Sequence, residues 1–379
     1  MLPVRYALRN LARRRARTAL TFFGVAVITF LVALMSGFAL GLERSASASA
    51  ADDVAVVVGA TGETDLIRSF VPEASATEVA ISAPGVVEVD GVRAASVELH
   101  TATRVGESIG LLRGVTPAAF LVHRAVVLVE GVEPRAPYEL MVGRLAAARM
   151  GVPDTALALG RTVRLEGRDW TVSGRFAAPG TVLEAEIWGR LEDVKLATRR
   201  VDVSCIALRM ASSADFPRVA LFASQRQTLE VKARRQSEIY GALRAALAPV
   251  AKLAWVMAAL VLVGGVFACA NTMFAAVLAR TREMGALRAI GYGPWSVALS
   301  LLEESLLLAG AAGLVGFTFA SLVGEFPLRF PMGAFYVDLG SSARFVGLAA
   351  AAAVGLLGGI APAARAVRMP LPDALAGKL

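Results

Sequence analysis

The chain has few of the residues that most enzymatic and metal sites need. Its 379 residues include two cysteines and two histidines. Cys205 lies in a polar region and Cys269 in an apolar run, so the sequence gives no disulfide framework and no C-x-x-C metal pair. His100 and His123 have no ligand spacing around them and belong to no recognisable catalytic triad. The sequence therefore predicts no catalytic, cofactor or metal site, and a protein that is not an enzyme.

A phosphate-binding loop is also missing. Such a loop has the pattern G-x-x-x-x-G-K-[ST], and the only Gly-Lys pair, Gly377 and Lys378, is followed by Leu379. ATP binding by this chain is therefore not expected. The polar region carries no interleaved basic and aromatic pattern, which argues against nucleic acid as a partner.

Apolar residues are what the chain has in excess. They make up 56% of it, above the roughly 45–50% that is usual in soluble proteins. Four apolar runs exceed the ~20 helical residues needed to cross a membrane core, and the predicted spans are 18–42, 249–279, 295–323 and 345–367. The first run follows an arginine-rich start and precedes Ser45–Ala50, as in a signal peptide, but its length favours a retained anchor.

The polar region 43–248, between the first two spans, is large enough for its own core. Strand-like runs alternate with helical patterns, and the strand-like runs start at Val54, Ser96, Arg161, Val203 and Leu229. The run from Arg161 predicts a hairpin that turns at Glu166–Arg168. The predicted fold is a membrane protein of four transmembrane α-helices, with a large mixed α+β extracytoplasmic domain inserted between helices 1 and 2. Glu184 and Glu186 alternate on a predicted strand, where a solvated face explains them.

Charge is distributed unevenly between these parts. Region 43–248 holds 24 basic and 25 acidic residues, whereas the rest of the chain has 15 basic and 6 acidic ones. The basic surplus lies in three short segments, 1–17, 280–294 and 368–379, and in the end of the last span. By the positive-inside rule these segments and both termini are cytoplasmic, near anionic lipid, and the domain 43–248 and the short loop 324–344 lie outside. The basic residues are Arg5, Arg9, Arg13, Arg14, Arg15, Arg17, Arg280, Arg282, Arg288, Arg365, Arg368 and Lys378.

Small and polar residues inside the spans mark two kinds of position. Small residues four apart let helices approach closely, and the pairs are Gly37 with Gly41 and Gly355 with Gly359.

The polar residues within the spans are Asn271, Glu303 and Glu304. Two readings of the glutamates stay open. They face the protein interior or a cavity at depth in the membrane, or the helix begins early and they lie at head-group level beside Arg282 or Arg288.

The loop "RTREMGALRAIGYGP", 280–294, is basic and helix-prone, and it ends at a defined stop. Gly291 ends the helix and Pro294 cannot continue it. A short helix with both charged and apolar residues between two spans is interpreted as a docking element. The residues predicted to make the contact are Arg280, Arg282, Glu283, Met284, Leu287 and Arg288.

The loop and its flanks resemble the permease subunits of the MacB, LolC/LolE and FtsX type, a family of ABC transporters. The similar stretches are "NTMFAAVLARTREMGALRAIG" (271–291), "LLEESLLLAGAAGLVG" (301–316), "ALRNLARRRARTALT" (7–21) and "PAARAVRMPLPDAL" (362–375). "GRTVRLEGRDWTVSGRF" (160–176) resembles the family's periplasmic hairpin, although the Asp usual after its first Gly is here Arg161.

The resemblance implies a bacterial inner-membrane, multi-pass permease that works as a dimer with a second copy or a paralogue. Its coupling helix would seat in a separate cytoplasmic ATPase subunit, which binds ATP and Mg. The resulting motion would reach the periplasmic domain and export or extract a lipid, lipoprotein or hydrophobic substrate. A periplasmic adaptor and an outer-membrane channel are further possible partners. Two alternatives stay open: a non-transporting transmitter that regulates an envelope enzyme such as a cell-wall hydrolase, and a passive receptor with no ATPase.

Overall fold

The structure is a computed structural model that describes residues 11, 15–49, 51–60, 65–105, 108–330 and 333–376. Most of the predicted N-terminal segment 1–17, and Lys378, lie outside these residues. Clustering of contacts divides the chain into two units. We call them the helical unit (1–40, 250–326 and 337–379) and the sheet unit (41–249 and 327–336).

Among the described residues, four helices are long and apolar enough to cross a membrane. We call them spans one to four: Arg15–Ala48, Gln236–Leu278, Pro294–Val323 and Ser341–Arg368. Span two begins well before its predicted start and continues through Pro249 without a break. The described part of the helical unit also contains two short helices, Thr281–Ala289 (the loop helix) and Leu371–Ala376 (the C-terminal helix).

The residues between spans one and two form a mixed α/β fold, as predicted. Its short α-helices are Glu73–Ser82, Ala119–Val122, Ala146–Met150, Leu191–Thr198 and Phe216–Gln225. Single 3-10 turns cover Asp154–Leu157, Val182–Ala185, Ser213–Asp215 and Gln227–Leu229. The strands are β1 Val54–Gly59, β2 Val71–Pro72, β3 Glu88–Val89, β4 Val92–Arg93, β5 Ala95–Val105, β6 Ser108–Val115, β7 Val127–Gly131, β8 Glu139–Gly143, β9 Thr162–Leu165, β10 Arg168–Ala177, β11 Ile187–Arg190, β12 Asp202–Val203, β13 Cys205–Arg209 and β14 Val231–Arg235.

One ten-stranded sheet organises this unit, in the order β14-β1-β13-β5-β6-β11-β8-β10-β7, with β9 paired to β10. Most neighbours are antiparallel, but β11 with β6 and β10 with β8 are parallel. The sheet is therefore mixed, and strands distant in the sequence become neighbours. Each predicted strand start lies in or within two residues of an observed strand.

The predicted hairpin is confirmed as β9 and β10. Glu166 and Gly167 have φ values of 49° and 74°, as a two-residue turn of the mirror-image type requires. Burial alternates along β9, and Trp170 on β10 is fully buried. Its indole Nε1 donates to the Leu165 carbonyl at 3.1 Å, which satisfies the polar atom of this core residue.

The predicted solvated face for Glu184 and Glu186 is wrong. Both residues are only 2% exposed. Glu184 lies in the single 3-10 turn Val182–Ala185, and Glu186 immediately precedes β11. Alternation of polar residues predicted a wetted face, but both carboxylates are enclosed by the sheet unit.

The segment 324–344, predicted as a loop, carries a hairpin of β15 Phe326–Phe330 and β16 Gly333–Val337. Most of the hairpin belongs to the sheet unit. Ala334 is buried in a cluster with Leu145 and Ala185, and the Arg144 guanidinium lies over the Tyr336 ring, 5.7 Å from its centroid.

Candidate functional site

The loop helix has defined ends that its sequence dictates. It begins after Arg280, whose φ of −127° is not helical, and runs to Ala289. Gly291 has a φ of 108°, and the N–H groups of Gly291 and Tyr292 donate to the carbonyls of Arg288 and Leu287. These are the two hydrogen bonds of a Schellman cap, in which glycine takes the left-handed position. The predicted helix stop is confirmed.

One face of the loop helix packs on its own unit. Met284 is 6% exposed and belongs to a buried cluster with residues from spans two, three and four and from the C-terminal helix. Arg288 donates from Nη1 to the carbonyl of Met369, which joins the loop helix to the end of the chain. The other buried members of the cluster are Val277, Val297, Ala298, Leu301, Ala363, Ala366, Met369 and Ala374.

Glu304 is buried and paired with Arg280. The Arg280 Nη1 lies 2.8 Å from the Glu304 Oε2, with the side chains 8% and 9% exposed. The glutamate on span three is thus paired with the residue that precedes the loop helix. Glu303 is half-buried, and its Oε2 has no hydrogen-bond partner among the described residues.

The opposite face of the loop helix is exposed. It presents Arg282, Glu283 and Ala286, and Ile290 beyond the helix end is 78% exposed. Leu287 and Arg288 are half-buried. Of the six residues predicted to contact a partner, Arg280 and Met284 are instead buried within the helical unit, where the pairing with Glu304 and apolar packing hold them. Sequence periodicity separated the faces poorly because a nine-residue helix gives few repeats.

Three of the four predicted packing glycines lie at close approaches within the helical unit. A Cβ on Gly355 would lie 2.7 Å from the Ala309 Cβ, and one on Gly359 would lie 3.0 Å from the Leu302 Cδ2. A Cβ on Gly37 would meet the Asp338 carbonyl oxygen at 2.8 Å. Spans three and four therefore approach closely along the Gly355–Gly359 face. Gly41 is buried, and Asn271 on span two is exposed.

A second candidate site, in the sheet unit, was missed by sequence analysis. The sheet register pairs Glu98 with Cys205, and His100 with Arg113. It also pairs Arg113 with Trp188. The adjacent strands β5 and β6 and the distant strands β11 and β13 thus bring their side chains to one place. The usable signal was the two-residue spacing of Glu98 and His100, which puts both on one face of a strand.

The buried network, as we call these side chains with Glu186 and His123, is closely hydrogen-bonded. Arg113 donates from Nη1 to Glu98 Oε2 at 2.9 Å and from Nη2 to Glu186 Oε1 at 2.8 Å. The Trp188 Nε1 donates to the other Glu186 oxygen at 2.9 Å. His123 Nε2 lies 2.7 Å from Glu98 Oε1. The guanidinium is therefore held between two carboxylates.

Electrostatics of the network follow from burial and from Arg113. Burial by itself would raise the pKa of Glu98, but the charges of His123 and Arg113 hold that pKa well below its usual value. Burial and the Arg113 charge lower the pKa of His100. Burial and the nearby Glu98 raise the pKa of the Cys205 thiol well above its usual value.

Models of two known protein families match this chain. Residues 18–220 match the MacB-like periplasmic core domain, and residues 255–371 match the FtsX-like permease C-terminal region. The first match alone covers more than half of the chain. The chain belongs to the MacB-like and FtsX-like family of ABC-transporter permeases. Members of this family are membrane subunits and are not themselves catalytic.

Two solved structures are similar to about half of this permease. The periplasmic region of MacB from Actinobacillus actinomycetemcomitans is 13% identical, over 50% of this chain and 92% of that one, with a TM-score of 0.37. The extracellular domain of the noncanonic ABC-type transporter YknZ from Gram-positive bacteria is 12% identical, over 48% and 99%, with a TM-score of 0.36. Comparison with curated proteins gave no match.

The chain of this permease crosses four times between the helical unit and the sheet unit. The chain passes between the two units at 40–41, 249–250, 326–327 and 336–337. Spans one and two therefore continue into the sheet unit as helices, and spans three and four are joined to it by residues 324–326 and 337–340. The predicted domain order of an apolar span, a large α/β domain and three further spans is the order that the family matches follow.

Proposed function

We propose that this permease converts ATP hydrolysis by a separate cytoplasmic ATPase into motion of its sheet unit. The observation that carries the proposal is the two-faced loop helix. Its buried face contacts spans two, three and four through Met284, while its other face exposes Arg282 and Glu283. A push on the exposed face is transmitted to three spans, because their ends and the loop helix share one packed cluster.

Covalent connectivity supports the next step. Because each span is joined to the sheet unit, movement of the spans pulls on that unit directly. Span two contributes a continuous helix across residues 249–250, and a helix transmits force with little internal deformation. ATP and Mg are bound by the partner, and a second permease copy or paralogue completes the dimer that the family implies.

The orientation that fits this mechanism places the loop helix and both termini in the cytoplasm and the sheet unit in the periplasm. The Arg288 hydrogen bond to Met369 supports a common side for the loop and the C-terminal helix. The basic surplus on that side supports the cytoplasm of a bacterial inner membrane.

Charge reversal on the loop helix tests the proposal. Glu283→Lys in the full-length permease, purified with its ATPase, is expected to weaken association about tenfold, or ~1.4 kcal/mol. Glu325→Lys is the matched control, since Glu325 is also exposed but follows the opposite end of span three. The ATPase is recognised by its phosphate-loop sequence and its activity. Retained association in Glu283→Lys, or equal loss in both variants, contradicts the docking assignment. A substitution such as Met284→Asp would not test docking, because Met284 is buried and the change would disturb packing within the helical unit.

The proposed substrate is a lipid, lipoprotein or hydrophobic molecule that is exported or extracted from the membrane. Reconstitution of the permease and ATPase in proteoliposomes tests this step. Stimulated ATP hydrolysis together with movement of a fluorescent lipoprotein or amphiphile supports transport. Activation of an envelope hydrolase without substrate movement would instead assign the regulatory role, with the same coupling helix.

A further inference from the structure

The buried network contains the donor types that proteins use to bind zinc. Glu98, His100 and Cys205 each offer one ligand atom, and these three atoms lie within 4.8 Å of one another. All three side chains are 2% exposed or less. Both histidines of the chain are in the network, and its cysteine is the one outside the spans. Thiolate, imidazole and carboxylate together suit zinc among the common divalent ions.

Two distances between the ligand atoms are close to the edges of a tetrahedral zinc site. Zinc binds nitrogen or oxygen at about 2.0 Å and sulfur at about 2.3 Å, which gives tetrahedral edges of roughly 3.3 to 3.6 Å. The His100 Nε2 lies 3.3 Å from the Glu98 Oε2 and 3.7 Å from the Cys205 Sγ. To bind an ion, the Glu98 Oε2 must release the hydrogen bond that it accepts from the Arg113 Nη1 at 2.9 Å.

Negative charge is available around such an ion. Glu98, Glu186 and a Cys205 thiolate carry three negative charges, which face the positive charges of Arg113, His123 and a Zn²⁺ ion. Arg113 does not depend on Glu98 alone, because Glu186 accepts its second hydrogen bond at 2.8 Å. The guanidinium thus keeps a buried counter-ion when Glu98 turns to the metal.

The surroundings hold the ligands in place. His123 contacts the second oxygen of Glu98 at 2.7 Å, which orients the carboxylate as outer partners of metal ligands do. A cavity of about 280 Å³ adjoins the network at His123 and is also lined by Ser49, Asp53 and Gln236.

We propose that Glu98, His100 and Cys205 bind a zinc ion inside the sheet unit, with His123 as the positioning residue for Glu98. This departs from the sequence prediction of no metal site, which considered spacing along the chain and not strand register. Zinc would join β5 to β13 across the middle of the sheet and stabilise the folded unit.

Cobalt substitution in the full-length permease tests the site. Protein purified in detergent and stripped with a chelator should bind one Co²⁺ per chain, with a thiolate-to-cobalt charge-transfer band in the near ultraviolet that Zn²⁺ removes. Cys205→Ser should abolish the band. Cys269→Ser, which changes the chain's other cysteine, should keep it. His123→Gln should keep the band but weaken Co²⁺ binding about 10- to 100-fold.

Absence of the band in the wild type, its survival in Cys205→Ser, or its loss in Cys269→Ser would overturn the proposal. If Cys205→Ser does not fold, the sulfur ligand can be tested on the wild-type protein instead. Zinc-edge X-ray absorption of the zinc-loaded protein should show one sulfur neighbour at about 2.3 Å. A shell of only nitrogen and oxygen neighbours would also overturn it.

Discussion

Arg113 in the sheet unit and Arg280 in the helical unit are both buried beside glutamates, but their settings differ. Arg113 is 2% exposed, lies between Glu98 and Glu186, and packs against the Trp188 ring. Arg280 is 8% exposed and pairs with Glu304. Arg113 is buried within the sheet unit, enclosed by its partners on neighbouring strands. Arg280 lies at a helix junction, from which a long side chain can reach solvent. Burial depth, rather than the presence of an ion pair, therefore sets how much each unit depends on its arginine.

Arg113→Met should have the largest effect. It leaves the buried Glu186 without its counter-ion and Glu98 with only its histidine partners, and breaking such a buried pair costs about 3–5 kcal/mol. We expect a large drop in the melting temperature of the purified protein, followed by circular dichroism. The matched variant Arg113→Met with Glu98→Gln and Glu186→Gln removes the uncompensated charges and should recover part of the loss. If Arg113→Met alone melts at the same temperature as the wild type, burial depth does not determine how much the sheet unit depends on its arginine.

Glu304→Gln should have a smaller effect on stability, about 1–3 kcal/mol, because Arg280 keeps a polar neighbour and lies nearer the surface. Loss of the pair loosens the loop helix from span three, so ATPase stimulation should fall as well. Glu303→Gln, one residue earlier, is the control and should change neither quantity appreciably. Equal losses in the two variants would mean that the Arg280 pair has no special role.

Gly291→Ala should cost about 1–2 kcal/mol, because a residue with a Cβ is strained at a φ of 108°. No heavy atom lies within 4 Å of the Cβ position, so the effect is one of backbone conformation and not of packing. Gly293 is the matched control, since its Cβ position is equally open and its φ is −63°. The melting temperatures of both variants in detergent measure the difference. Similar melting temperatures would mean that the Schellman cap does not stabilise the loop helix.

Glu184→Gln should stabilise the sheet unit, by on the order of 1 kcal/mol at neutral pH. Burial raises the pKa of Glu184, so the folded state binds its proton more tightly than the unfolded state does. The charged form therefore costs stability above the usual glutamate pKa, and this cost disappears as the pH falls below that value. The melting temperatures of variant and wild type should differ at pH 7 and converge in acid. A variant that is less stable than the wild type at pH 7 would show that the Glu184 charge is well compensated.

Much of the architecture was predictable because it depends on neighbouring residues. Apolar runs indicated the four spans, and Glu166 with Gly167 indicated the β9–β10 hairpin. Gly291 and Pro294 indicated where the loop helix ends. Each of these features is determined by the length of an apolar run or by the backbone conformation of a few neighbouring residues. It can therefore be predicted without knowing the rest of the fold.

The two sites were predictable only in part. The loop helix was found, but its faces were not separated, since the burial of Arg280 depends on Glu304, which is 24 residues away. The buried network was missed, because Glu98 meets Cys205 only through the pairing of β5 with β13. Glu184 and Glu186 were assigned to solvent for the same reason: alternation shows that residues share a face but not what covers that face.

The sequence by itself determined a four-span membrane protein with one large inserted domain and a bounded helix between spans two and three. Apolar length, turn chemistry and charge asymmetry act locally, and they sufficed for that outline. Only the tertiary structure decided which charges are buried, because strand register and helix packing bring together residues separated by up to about a hundred positions. Through those long-range contacts Arg113 lies between the carboxylates of Glu98 and Glu186, and Arg280 pairs with the carboxylate of Glu304.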